Sequence, residues 1–143
     1  MRTSDDWPDR VYVETSQYDK MHKLFSKASE EGREAPFKSL KEILMAAAIL
    51  GYNLGQKSSL DAKKEIIFTK YLDSQLDLPV VICLAIADQE NADIINDKKK
   101  VIDIFQSYIK GGFDPLYETI KDGHDEIQNY AHFLLENYVK EMA

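Results

Sequence analysis

A mainly α-helical fold, a compact bundle of five or six helices with a short N-terminal β-strand, is the architecture this sequence predicts. Three observations carry that reading. Apolar residues recur at three- and four-residue steps through most of the chain, the spacing that gathers them on one face of a helix. Capping residues, or glycine and proline breaks, separate those runs. Strict alternation, the mark of a strand, is confined to RVYVET at 10–15.

The elements follow in order. Residues 1–9, with three aspartates, Trp7 and Pro8, read as an extended acidic arm. In the strand, Val11 and Val13 fall on one side and Tyr12 and Glu14 on the other. Ser16 and Asp19 have capping-box spacing, and Tyr18, Met21, Leu24, Phe25 and Ala28 then form a helical stripe. That helix fades at Glu31 and Gly32, and Pro36 marks the loop. Ser39 and Glu42 make a cleaner capping box for a helix over 40–52, with Leu40, Ile43, Leu44, Ala47, Leu50 and Leu54 on one face.

Met45, Ala46, Ala48 and Ile49 cover its other sides, so this helix should be central to the fold or form a subunit interface. Its three consecutive alanines let another helix approach closely, and Gly51 or Gly55 ends it. Residues 56–65 read as a loop, and 65–72 (EIIFTKYL) suits a strand or a short helix equally. Asp77 can cap a third, largely buried helix with Pro79 in its first turn. Asp97 caps a fourth at 98–110, stopped by Gly111 and Gly112. Asp114 and Pro115 open a short helix to Lys121, and a last helix spans 125–141.

With 143 residues, the chain is long enough to bury a core without disulfide or metal. It reads as the arm 1–9 and a single domain, 10–143. A change of charge near residue 71 leaves room for subdomains 10–71 and 72–143. No apolar run is long enough to span a membrane. The polar start MRTSDDWPDR is unlike a secretory signal, and one cysteine makes no internal disulfide, so a cytoplasmic setting is expected.

The net charge of −7 is unevenly spread: residues 1–71 sum to +1 and residues 72–143 to −8. A chain gripping duplex DNA alone usually presents a basic surface. Any DNA contact is therefore expected in the first half, through Arg10 and Tyr12 of the strand and the basic spot Lys57, Lys63 and Lys64. Lys98, Lys99 and Lys100 open the fourth helix, where the helix dipole disfavours cations. They are read as an interface for a partner's acidic group. Aromatic residues would offer base stacking only if interleaved with basic ones on one surface, and most here fall on core stripes.

No catalytic constellation emerges. Cys83 lies amid Val80, Val81, Ile82 and Leu84 and reads as a buried small hydrophobe. His22 sits at the edge of a core stripe, and His124 and His132 are too far apart for a two-ligand metal site on one helix. Asp88, Glu90 and Asp93 read as a solvated turn rather than an ion site. The expectation is a non-enzyme with no cofactor and no metal.

Two resemblances add to this. The segment RVYVETSQYDKMHKLF, followed by FKSLKEILMAAAILGY, resembles ribbon-helix-helix DNA-binding dimers. In those, strands pair across a homodimer and present alternate side chains, here Arg10, Tyr12 and Glu14, to the major groove. The second is more specific. FKSLKE at 37–42, MAAA at 45–48, Gly51 and Gly55, and the run from Ile102 to Gly111 and Gly112 are similar to a family of accessory proteins of bacterial Dnd systems, Dnd system-associated protein 4. The resemblance covers residues 10–122 and implies a context, DNA phosphorothioation and its linked restriction defence, with partners in that modification complex. It carries no catalytic residue over.

Overall fold

The computed structural model describes residues 6–30, 37, 39–120 and 135. Strand β1 (Arg10–Glu14) runs directly into helix α1 (Thr15–Glu30), and α2 (Leu40–Leu54) follows. Strand β2 (Lys63–Phe68) leads through a 3-10 turn at Thr69–Tyr71 to α3 (Asp77–Gln89). A second 3-10 turn at Ala92–Asn96 precedes α4 (Lys98–Ile120). The described residues thus hold four α-helices and a two-stranded antiparallel sheet, against an expected five or six helices and one strand. The expected helix over 125–141 lies outside them apart from Leu135, as do His124 and His132.

The difference in helix count lies partly in α4. Gly111 and Gly112 were expected to stop a helix at 110, and Asp114 and Pro115 to open another. Instead α4 runs through all four positions. Gly112 is where α2 crosses α4. A Cβ on Gly112 would stand 1.9 Å from the Ala47 carbonyl oxygen and 2.5 Å from the Gly51 nitrogen, and one on Gly51 would stand 2.2 Å from the Tyr108 carbonyl oxygen. Backbone meets backbone there, so the absence of side chains is what the packing requires. The expected close approach to the alanine run holds at Ala47. Gly55, with φ +66°, caps α2, its N–H bonding the Tyr52 carbonyl.

The core assembles around that crossing. Ile43, Leu44, Ala47 and Ala48 of α2 are fully buried, as are Val101, Phe105, Ile109, Phe113, Leu116 and Ile120 of α4. Val11, Val13, Met21 and Val81 complete it from the other elements. Full burial of each Val, Leu, Ile, Phe or Met among them is worth about 1.5–3 kcal/mol. Helix α3 is less buried than its apolar sequence suggests. Only Val81, Leu84 and Ala85 are buried, and Cys83 is exposed rather than interior.

Helix starts divide similarly. Ser39 accepts a hydrogen bond from the Glu42 N–H, and Asp97 accepts one from the Lys100 N–H, as their spacing predicts. Ser16 is not a cap. The helix begins one residue earlier, and the Thr15 N–H donates to the Ala62 carbonyl at 2.8 Å. Nor does Asp77 cap α3. It is the first helical residue, accepting from the Asp73 N–H and pairing with Lys41 at 2.8 Å.

Residues 65–72 resolve into both alternatives, the end of β2 and then the 3-10 turn. Val11 pairs with Ile67 and Tyr12 with Glu65, so Ile66 is a bulge residue. Strand β1 therefore finds its partner within the chain, and the Tyr12 N–H donates to Gln106 Oε1 at 2.8 Å. The ribbon-helix-helix arrangement, with strands paired across a dimer, is not the one this chain adopts. Glu14 is also buried rather than outward, because it belongs to the anchorage described next.

Candidate interaction groove

Residues 56–62 cross from α2 to β2 along the flank of α4, and a dense set of bonds holds them there. The Ser58 N–H donates to the Ser107 carbonyl at 3.1 Å. A Cβ on Gly111 would stand 2.1 Å from the Gln56 carbonyl oxygen, so the connection lies directly on the α4 backbone. From below, the Glu14 carboxylate accepts from the Asp61 N–H at 2.7 Å and the Ala62 N–H at 3.0 Å. Lys110 Nζ lies 3.1 Å from Glu14 Oε1 and donates to the Ser59 carbonyl at 2.9 Å. The backbone donor at Asp61 is the strongest influence on Glu14. Burial opposes it, and Ala62 and Lys110 reinforce it, so the carboxyl titrates below its ordinary value.

A second anchor ties this segment to α3. Lys57 Nζ reaches Asp88 Oδ1 at 2.6 Å, and the buried Tyr108 hydroxyl donates to the same oxygen at 2.6 Å. Burial works against ionisation of Asp88, but the bonds from Lys57, Tyr108 and Gln89 outweigh it and hold the carboxyl below its ordinary value. The Tyr108 phenol is pushed up to about 12, first by burial and then by the Asp88 carboxylate, so it stays a proton donor throughout the neutral range. Asp88, expected in a solvated turn, is thus an interior anchor with a side chain only 4% exposed.

These anchors set an acid sensitivity. In the unfolded chain the two carboxyls titrate near 4.5 (Glu14) and 3.8 (Asp88). Both folded values are lower. Their stabilisation is therefore complete above the unfolded values and is lost as the pH falls through the folded ones. Urea midpoints should be level near neutrality and drop on acidification below about 4.5. Glu14→Gln should lower stability by about 1 kcal/mol at neutral pH and flatten that acid slope. An unchanged slope would refute the role given to Glu14.

Between the anchored segment and the first turns of α4 lies an open groove of about 740 Å³. Lys57, Ser58, Ser59, Leu60 and Lys63 line one side, and Asp97, Lys99, Lys100, Asp103, Ile104, Gln106 and Ser107 the other. Two groups of lysines singled out for different reasons, Lys57 with Lys63 and Lys99 with Lys100, therefore converge in one place. They are not equivalent. Lys57 is held by Asp88, and Lys99 pairs with Asp103 at 2.9 Å. Lys63 and Lys100 are exposed and have no carboxylate partner among the described residues. Lys63 Nζ stands 5.9 Å over the Tyr12 ring.

The other candidate residues lie outside the groove lining. Arg10 forms an ion pair with Glu65 and packs 4.6 Å over the Phe68 ring, at a separate cleft. Tyr12 is half-buried, its N–H already used by Gln106. Lys64 Nζ lies 4.1 Å over Tyr18, and Lys98 Nζ lies 5.0 Å over Trp7 while donating to the Ile95 carbonyl. Glu14, Asp88, Tyr108 and Lys110, which build the site, were not legible as site residues. The pair Lys57 and Asp88, for example, is separated by 31 positions, and no local motif signals such a pair. Among the described residues no group of three or more histidine, cysteine, aspartate or glutamate side chains could hold a metal ion.

The model of one protein family, DNA sulphur modification system-associated protein 4, matches residues 13–143. The chain belongs to this family. Comparison with curated proteins and with solved structures gave no match. The match reaches beyond the resembling stretch at 10–122 and takes in the C-terminal residues. Several residues of the resembling stretch have a physical role in the structure. Ala47, Gly51 and Gly112 form the backbone contact between α2 and α4, and Gly55 caps α2. Among the described residues no helix is long and apolar enough to cross a membrane.

Proposed function

We propose that this chain is a non-enzymatic accessory protein of a bacterial DNA phosphorothioation and restriction system, acting in the cytoplasm through contacts with other proteins of that system. The observation that supports this reading is the lysine groove between residues 57–63 and the start of α4. It gathers four lysines, of which Lys63 and Lys100 have no ion-pair partner among the described residues, while Glu14 and Asp88 are consumed in structural bonds. The family's association with a DNA sulphur modification system supplies the context. Affinity capture of the tagged full chain from cells carrying a complete system should recover a modification or restriction component. Recovery of none, with the tagged chain folded and expressed, would remove the reading.

Direct contact with duplex DNA is the second reading, favoured by Lys57 and Lys63 in the same groove. It calls for a gel shift at stated salt whose affinity falls steeply as salt rises. A shift indifferent to Lys63→Glu would exclude the groove as the DNA site.

A further inference from the structure

The groove's composition is specific enough to name the chemistry of its occupant. Four lysines and two aspartates line it. Two of the lysines already have carboxylate partners, which leaves Lys63 and Lys100. These two come from β2 and from the first turn of α4, and they share one groove in which Asp97 is the one carboxylate left without an ion pair among the described residues, so a single positive charge remains in excess. The two like charges repel, and the positive end of the α4 dipole, partly offset by the Asp97 cap, adds to the same field. A carboxylate entering the groove would relieve both. Leu60 and the almost fully buried Ile104 give the lining an apolar element as well, and Ser58, Ser59 and Ser107 add hydroxyl groups.

We infer that this groove binds an acidic peptide segment of a partner protein, with side-chain carboxylates on Lys63 and Lys100 and an aliphatic side chain against Leu60 and Ile104. The inference rests on the proposed role in protein contacts and names the kind of partner. A peptide fits better than duplex DNA for two reasons. Duplex affinity comes from neutralising a run of phosphates, and two lysines outside ion pairs, flanked by Asp97 and Asp103, do not offer such a run. The chain's overall charge of −7 would also repel a dense polyanion at long range more than a short peptide carrying a few carboxylates.

The test uses the full chain and fluorescence anisotropy with three labelled probes: a short peptide of alternating glutamate and leucine, its lysine–leucine counterpart, and a DNA duplex. The acidic peptide should bind saturably and the basic one should not. Lys63→Glu and Lys100→Glu should each weaken acidic-peptide binding by about tenfold or more, the scale of one charge-assisted contact. Both positions are exposed, so circular dichroism should show an intact fold. Lys64→Glu, outside the groove lining, should leave peptide binding unchanged. Absent peptide binding, binding indifferent to both groove variants, or a stronger and groove-dependent affinity for the duplex would overturn the inference. Affinity capture from cells separates the two levels. A modification component captured equally by wild type and by the Lys63→Glu and Lys100→Glu variants would keep the proposed role and reject the groove.

Discussion

Gly112→Ala should cost this protein about 3 kcal/mol or more, or prevent folding altogether. Overpacking a core usually costs about 1–3 kcal/mol, because side chains can shift to make room. Here the added methyl would stand 1.9 Å from the Ala47 carbonyl oxygen and 2.5 Å from the Gly51 nitrogen. Both are backbone atoms of α2, so relief requires the two helices to separate along their shared core. Gly51→Ala should behave alike, since its Cβ would meet the Tyr108 carbonyl oxygen at 2.2 Å. Gly55→Ala is the informative contrast. No neighbour lies within 4 Å of its Cβ, and only the left-handed φ of +66° resists it, a penalty of about 1–2 kcal/mol. Urea unfolding of the three variants would measure the difference. A Gly112→Ala protein as stable as wild type would mean that α2 and α4 do not cross this closely.

Asp88→Ala should produce the next largest loss, about 2–3 kcal/mol. The removed carboxylate accepts from a buried tyrosine hydroxyl, and an interior hydroxyl left without its charged acceptor costs about that much. Lys57 contributes less to the loss because its side chain is 47% exposed and can return to water. Two companion variants separate these contributions. Asp88→Asn keeps an acceptor for Tyr108 and should cost less than Asp88→Ala. Adding Tyr108→Phe to Asp88→Ala removes the stranded hydroxyl and should restore about 1 kcal/mol. Additive losses in that double variant would show that the two groups are not coupled. Asp88→Ala should also free Lys57 from its anchored position, so its affinity for acidic peptide would report on how far the groove depends on this anchor.

How much was legible beforehand depended on the range of the interaction. The Ser39 cap and the Asp97 cap could be read because donor and acceptor lie three residues apart. The apolar stripes of α2 and α4 were equally plain, since helical periodicity is a local property. Strand β2 was undecided from its own residues. Its identity rests on pairing with β1, more than fifty positions away at Arg10 and Phe68. The helix stop expected at Gly111 and Gly112 fails for a related cause. A glycine pair suits both a helix stop and a close backbone approach, and only the presence of α2 against Gly112 and of Gln56 against Gly111 distinguishes them.

By itself the sequence determined the helical class, the central apolar helix with its Ser39 and Gly55 caps, the Asp97 cap, the uneven charge and the family signature. These are all written in neighbouring residues or in composition. Tertiary structure decided where the charges meet. An overall excess of acid gave no hint that Lys57, Lys63, Lys99 and Lys100 would share one groove, or that Asp88 and Glu14 would be drawn inside to hold its wall. Local spacing sets the path of each element, whereas the meeting of side chains dozens of residues apart depends on how α2 and α4 cross and what that crossing brings alongside.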